Sequence, residues 1–136
     1  MPKHLLLGQM YERLCLPVLY AVFPFRWDQT EIDYPYCLRK LAEKMPPAYH
    51  LACRVNINEE LILVDATLDP GLEKLGLPVN KNWNGSSNTL LPIIPTGEEQ
   101  IYHPSEVQLT QTRNHDEKAG EFYSELNRWL EEVRRS

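Results

Sequence analysis

Residues 49–67, YHLACRVNINEELILVDAT, contain two strand patterns separated by a short turn, and the fold can be built outward from them. From Tyr49 to Ile57, apolar side chains alternate with a second set that includes His, Arg and Asn, which is the two-residue period of a strand. The run from Leu61 to Ala66 has the length and composition of a second strand. Asn58 and Glu59 predict a tight turn. Glu59 is an unfavourable residue for the second position of such a turn, because that position requires a positive φ. The sequence therefore predicts an antiparallel hairpin.

The length of this turn determines which side chains share a face of the hairpin. If the turn has two residues, Ile57 faces Glu60, and counting back places His50 opposite Thr67 and diagonal to Asp65. Diagonal neighbours on one sheet face are about 7–8 Å apart, near enough for an imidazole and a carboxylate to meet. One more turn residue would put them on opposite faces. Such a pair serves either nucleophilic acyl transfer or a structural hydrogen bond.

The segments before the hairpin alternate between helix and strand patterns. Apolar residues at helical spacing predict a helix over about residues 4–15, and the apolar run from Val18 to Phe23 predicts a strand that is covered on both faces and closed by Pro24. Residues 25–34 are predicted to form an aromatic loop, and a short helix is expected to begin at Pro35. The predicted buried stripe of that helix comprises Leu38, Leu41, Ala42 and Met45.

The segment after the hairpin shows little regular pattern as far as about residue 113, because proline and glycine interrupt it repeatedly. One more short strand is expected within Leu90 to Ile94. The C-terminal segment predicts an amphipathic helix over about residues 116–134. Its apolar stripe consists of Ala119, Phe122, Tyr123, Leu126, Trp129, Leu130 and Val133. We predict one domain over residues 1–136, of the α+β class, with helices packed on an antiparallel sheet.

Composition narrows the classes of partner. A net charge of -5 and a pI of about 5.4, with no basic stripe, make nucleic acid a poor partner. No run reaches the roughly 18 apolar residues of a membrane span, and the apolar run near the start is too short for a signal peptide. We therefore expect a cytoplasmic protein that does not interact with membranes.

The spacing of the cysteines and histidines along the sequence does not indicate a metal site. Cys15, Cys37 and Cys53 lie among apolar neighbours without a CxxC spacing, and we expect reduced thiols in the core. His103 and His115 could join His50 around a metal ion, yet no group of histidines and cysteines has the spacing of zinc ligands. The sequence thus predicts no metal and no cofactor.

Four segments together resemble one known family. Residues 49–52, 63–70, 76–80 and 82–85 are similar in order and spacing to the transglutaminase-like superfamily, specifically its small prokaryotic members. Residues 3–10 resemble the helix that follows the nucleophile in that family, in a run written Cys-Ser-x-Lys-His. The resemblance covers about residues 3 to 106. It implies a transglutaminase-like core of the papain-like cysteine proteinase type.

The resemblance also implies roles for individual residues. His50 and Asp65 match the catalytic His and Asp of the family, and Trp83 is expected either to line an acyl-donor cleft or to pack under its loop. The catalytic Cys would fall just before Met1, so the expectation is an N-terminally truncated domain without its nucleophile. The sequence also departs from the family pattern at Glu59, Leu68, Gly71 and Asn84.

Three functions are compatible with these residues. The first is a transglutaminase-like domain that lacks the catalytic Cys and acts as a non-catalytic binding or scaffolding module for a protein or peptide. The alternative is a thiol acyltransferase, amidase or protease whose nucleophile lies upstream of the first residue. The third is a subunit that docks a second chain across exposed apolar surface, either a copy of itself or an N-terminal half. The sequence does not predict the oligomeric state.

Overall fold

The secondary structure comes from a computed structural model that describes residues 3–110 and 117–136. The chain has an α+β fold with four strands in one open antiparallel sheet and helices packed against it. Short 3-10 turns lie at Trp27–Gln29 and Pro70–Leu75. The elements in chain order are α1 (Lys3–Arg13), β1 (Val18–Phe25), α2 (Tyr36–Glu43), β2 (Ala48–Ile57), β3 (Glu60–Val64), β4 (Gln100–Tyr102), α3 (Pro104–Thr110) and α4 (Glu117–Arg135).

The predicted hairpin and its register are confirmed. β2 and β3 pair antiparallel, with Ile57 opposite Glu60. The turn residues Asn58 and Glu59 both have positive φ, 53° and 69°, as a two-residue turn of this handedness requires. Glu59 thus adopts a conformation that normally favours glycine. The two strands pair residue by residue from Ile57 and Glu60 to Cys53 and Val64. The side chains of both strands therefore lie on the faces that the sequence predicts.

The sheet has the order β3-β2-β1-β4, and apolar side chains cover both of its faces. On one face, residues of α1 and α3 pack over a cluster centred on Tyr20, Cys53 and Val55. On the other face, Leu91 and Ile93 cover a cluster that contains Ala21 and Phe23. β1 is therefore apolar along its length because both of its faces are covered.

Pro24 does not end β1, in contrast to the prediction. The strand continues to Phe25, and Pro24 lies opposite Tyr49 of β2. The carbonyl oxygen of Pro24 accepts a hydrogen bond from Thr96 N at 2.8 Å, so the backbone polar groups of this residue point away from β2. A proline in that position removes no hydrogen bond from the β1–β2 pair.

Residues Leu90–Ile94 do not form the expected strand. Two elements that were not predicted lie further along the chain. Residues 90–94 are irregular because Pro92 interrupts the run, and Ile93 serves instead as a buried cover for the sheet. The additional elements are β4 and α3. Arg54 of β2 holds the segment before β4 through two hydrogen bonds to Glu99, at 2.7 and 2.8 Å.

The C-terminal amphipathic helix is confirmed from Glu117 onward, and Asp116 lies outside the described residues. α4 packs against α2 through a cluster of buried side chains. That cluster comprises Tyr34, Leu38, Ala42, Met45, Phe122 and Leu126. At its other end α4 contacts the second 3-10 turn, where Arg134 pairs with Asp69 at 2.9 Å. None of the helices in the described ranges combines the length and apolar content that a membrane crossing requires.

Candidate functional site

His50 and Asp65 meet on one face of the hairpin, as the register predicts. His50 lies near the start of β2, and Asp65 directly follows the last residue of β3. Nε2 of His50 donates a hydrogen bond to Oδ2 of Asp65. Nδ1 of His50 has no hydrogen bond to any residue in the described ranges, and 16% of the side chain is exposed. The imidazole is therefore oriented by the carboxylate on one side and free on the other.

The Asp65 carboxylate is fully buried, and hydrogen bonds hold this residue in place. Its Oδ1 accepts a hydrogen bond from Thr67 N at 2.9 Å. The backbone of Asp65 is fixed by two loop residues, since its N–H donates to Thr89 Oγ1 at 2.7 Å and its carbonyl accepts from Asn80 Nδ2 at 3.2 Å. A buried carboxylate with these partners orients an imidazole at little entropic cost.

Hydrogen bonds keep Asp65 ionised despite its burial. Burial by itself acts to raise the pKa of this carboxyl group, but the hydrogen bonds from the His50 imidazole and the Thr67 N–H outweigh it and hold the pKa well below its usual range. The buried charge is therefore a property of the folded state, and it couples the stability of the protein to pH.

Replacing Asp65 by asparagine is expected to lower the free energy of unfolding by about 1.5–3 kcal/mol at pH 7, because charge-assisted hydrogen bonds are lost. Since the folded pKa is depressed, the stabilisation is present above the unfolded pKa of about 3.9 and is lost as pH falls below it. Denaturant unfolding from pH 7 down to acid pH measures the difference. Asp33→Asn, at an exposed site, is the control and should change stability by under about 0.5 kcal/mol. A difference between Asp65→Asn and wild type that does not shrink in acid would contradict the assignment.

His4 is the third member of this site, although no role was predicted for it from the sequence. It lies in the first turn of α1 and is 5% exposed. Its Nε2 is 3.0 Å from Ala66 N and 3.4 Å from Asp65 Oδ1. Because one nitrogen cannot both accept and donate, the shorter contact assigns it as the acceptor of the Ala66 N–H. The His4 ring also packs edge-on against the His50 ring, with centroids 5.7 Å apart.

None of the three thiols hydrogen-bonds to His50. Cys53 is buried, as predicted, on the sheet face opposite His50, and its Sγ donates to His4 O at 3.1 Å. Burial and the charge of Asp65 raise the pKa of the Cys53 thiol to about 12, so the thiol is protonated near neutral pH and disfavoured as a nucleophile.

The prediction of core thiols is wrong for Cys15 and Cys37, which are exposed. Cys37 lies on the solvent side of the first turn of α2, although apolar residues flank it in sequence. Cys15 follows α1 in a left-handed conformation with φ of 61°. It lies beyond the opposite end of α1 from His4, roughly 15 Å along the helix axis.

Neither a hydrogen bond nor a ring contact joins Trp83 to His50 or Asp65. Its side chain is 36% exposed, and its Nε1 donates to Ser87 O at 2.5 Å within the same loop. It lines a shallow cavity of about 240 Å³ together with the amide side chains of Asn80 and Asn88. Because Asn80 also binds the Asp65 carbonyl, this cavity and the pair share a supporting residue.

Three of these side chains could also hold a metal ion. One ligand atom each from His4, His50 and Asp65 lies within 4.8 Å of the other two, and no other such group occurs in the described ranges. His103 is exposed, bonds to Ser105 and does not belong to the group, while His115 lies outside the described residues. The one signal in the sequence that could have pointed to His4 is the Lys3-His4 pair, which matches the end of the Cys-Ser-x-Lys-His run of the resembled family.

Comparison of the chain with known protein families, curated proteins and solved structures gives no match. The resemblance to the transglutaminase-like superfamily therefore rests on the motif residues alone. The geometry itself supplies an oriented imidazole, a buried carboxylate and a second buried imidazole. Such groups can move a proton or bind a cation.

Proposed function

We propose that the chain is a transglutaminase-like domain in which His50 and Asp65 are the acid–base half of a thiol acyl-transfer site, and that the chain itself acts as a non-catalytic binding or scaffolding module. The single observation that supports this most is the hydrogen bond from His50 Nε2 to the buried Asp65, formed without any cysteine of the chain bonded to the ring. The oriented pair is present, and a thiol partner for it is not.

The orientation of the imidazole is what an acyl-transfer site needs. With Nε2 bound to the carboxylate, Nδ1 is the nitrogen that would take a proton from a thiol and return it to a leaving amine. Asp65 would hold the ring in that tautomer and stabilise the imidazolium form. A nucleophile must lie within hydrogen-bond reach of Nδ1, and the buried Cys53 lies on the opposite face.

The binding function is inferred from the resemblance to the transglutaminase-like superfamily. A site descended from one that presented carboxamides to a thiol would keep contacts to them after loss of the thiol, so a protein or peptide with side-chain carboxamides is the expected partner. The net charge of -5 disfavours nucleic acid as that partner.

A working enzyme is the second candidate function. In it, a thiol from a segment upstream of this sequence would attack a carboxamide, and His50 would act as base and then acid. Nδ1 of His50 has no hydrogen-bond partner in the described part of the chain, which favours this candidate, because a purely structural His–Asp pair does not require one nitrogen to stay open. Reading the coding sequence upstream of Met1 for a Cys-Ser-x-Lys-His frame distinguishes the two.

Intact-mass measurement after incubation with an activated acyl ester tests the module proposal. We expect no adduct that depends on His50, because Cys15 and Cys37 are exposed away from the imidazole and Cys53 is buried. Wild type and His50→Ala should therefore give equal labelling, with His103→Ala as the matched control for loss of a histidine. Labelling that disappears only in His50→Ala would show an activated thiol and contradict the non-catalytic proposal.

A further inference from the structure

We propose that His4, His50 and Asp65 together bind a divalent transition-metal ion of the Zn²⁺ class, through two imidazole nitrogens and one carboxylate. This site goes beyond the acyl-transfer proposal and does not depend on it. It uses only side chains that this chain contains, and it assigns His4 a role that the acyl-transfer proposal leaves open.

The spacing of the ligand atoms suits a small ion. Ligands of tetrahedral zinc lie about 2.0–2.2 Å from the metal, which separates two ligand atoms by roughly 3.3 Å. His4 Nε2 and Asp65 Oδ1 are 3.4 Å apart, close to that value. His50 Nε2 already contacts the other carboxylate oxygen, so it would have to move away from that oxygen to admit the ion.

The nitrogens can take the ionic form that a metal requires. His4 Nε2 accepts a hydrogen bond from Ala66 N, so it carries no proton, and its lone pair would pass from that amide to the ion. His50 Nε2 carries the proton that bonds to Asp65, and this proton would move to the free Nδ1 when the ion binds. Neutral imidazole is retained throughout, and no net proton is released.

The surroundings of the three ligands favour a site over a chance cluster. Asp65 is fully buried, its carboxylate accepts a hydrogen bond from Thr67 N, and its backbone is held by Thr89 and Asn80. The bond from Thr67 is the kind of supporting hydrogen bond that fixes a ligating carboxylate. His4 is also buried, whereas the His50 side chain is 16% exposed and offers a route for an ion from solvent. The ionised carboxylate supplies the attracting negative charge.

The ligand set predicts which ions bind. Two imidazoles and one carboxylate suit Zn²⁺, Co²⁺ or Ni²⁺, whereas Mg²⁺ and Ca²⁺ prefer oxygen ligands only. Cys53 is excluded as a fourth ligand because its Sγ lies on the other sheet face and bonds to the His4 carbonyl. Three protein ligands would leave one coordination position open. An ion there would also remove the His50–Asp65 pair from acid–base chemistry.

Calorimetric titration of the metal-free protein with ZnCl₂ tests the site. We expect one ion per chain, no competition from Mg²⁺, and an affinity that falls by more than about 100-fold in His50→Ala, beyond the 10- to 100-fold that loss of an outer partner costs. His103→Ala removes an exposed histidine outside the cluster and should bind Zn²⁺ as wild type does. His4→Ala should weaken binding as well, and circular dichroism shows whether this buried variant remains folded.

Three outcomes would overturn the proposal. One is unchanged affinity in His50→Ala, a partly exposed position whose replacement is the least disruptive of the three. Another is the absence of Zn²⁺ binding up to about 1 mM. The third is a thiolate charge-transfer band on Co²⁺ loading, which would place the ion on a cysteine. None of these measurements involves an acyl donor, so failure of the metal site and failure of the acyl-transfer proposal are distinguishable.

Discussion

Phe122→Ala is expected to lower the free energy of unfolding by about 3–5 kcal/mol, because the side chain is completely buried and its removal leaves a cavity. Phe122 lies in α4 and its ring contacts those of Trp27 and Tyr34, with centroids 5.1 and 6.4 Å away. The residue therefore joins the C-terminal helix to the loop that follows β1 and to the α2 cluster.

Urea denaturation of wild type and variant measures this effect as a shift in midpoint at constant slope. Tyr123→Ala is the matched control, since Tyr123 is an aromatic residue of the same helix with 41% of its surface exposed. It is expected to cost about 1 kcal/mol. Equal losses in the two variants would mean that α4 does not dock through Phe122.

Gly8→Ala is expected to cost about 1–3 kcal/mol, because α1 and β1 approach each other too closely at Gly8 for a side chain. A methyl group there would lie 2.7 Å from Cζ of Tyr20 and would collide with its hydroxyl oxygen. Tyr20 cannot move easily, since only 2% of it is exposed and its hydroxyl donates to Leu5 O at 3.3 Å. Relief of the clash would shift α1, which carries His4 to the site.

Gly120→Ala provides a control of opposite sign. A methyl group at Gly120 meets no atom within 4 Å, and this residue lies within α4. The substitution should stabilise the protein by about 1 kcal/mol through helix propensity alone. Thermal melting of both variants checks the pair of predictions. Destabilisation by Gly120→Ala, or stabilisation by Gly8→Ala, would contradict the helix packing described above.

The hairpin shows how much could be predicted locally. The turn at Asn58 and Glu59 has two residues, the length on which the predicted register depended, and from it the register of every pair back to Cys53 follows by counting. The contact between His50 and Asp65 was accordingly predictable without any knowledge of the rest of the fold. The amphipathic stripe that predicts α4 is equally local, because its period requires only neighbouring turns of one helix.

Other features depend on neighbours that are distant in sequence. Pro24 continues β1 because its backbone faces Thr96 and not β2, which no local pattern reveals. β4 is three residues long and pairs with a strand about 80 residues earlier, so its own sequence carries almost no strand signal. The exposure of Cys37 depends on which side of α2 faces α4, and its apolar sequence neighbours were misleading.

The sequence alone determined the hairpin and the two amphipathic helices at Tyr36–Glu43 and Glu117–Arg135, because strand and helix periods are set by residues close together in the chain. The register of the hairpin followed from the sequence on the condition of a two-residue turn. Only the tertiary structure decided that His4 completes the site. Its nitrogen meets the amide of Ala66, 62 residues away, because α1 packs over the sheet with its first turn beside the end of β3. Contacts of that range depend on how elements pack, and no periodicity in the sequence encodes them.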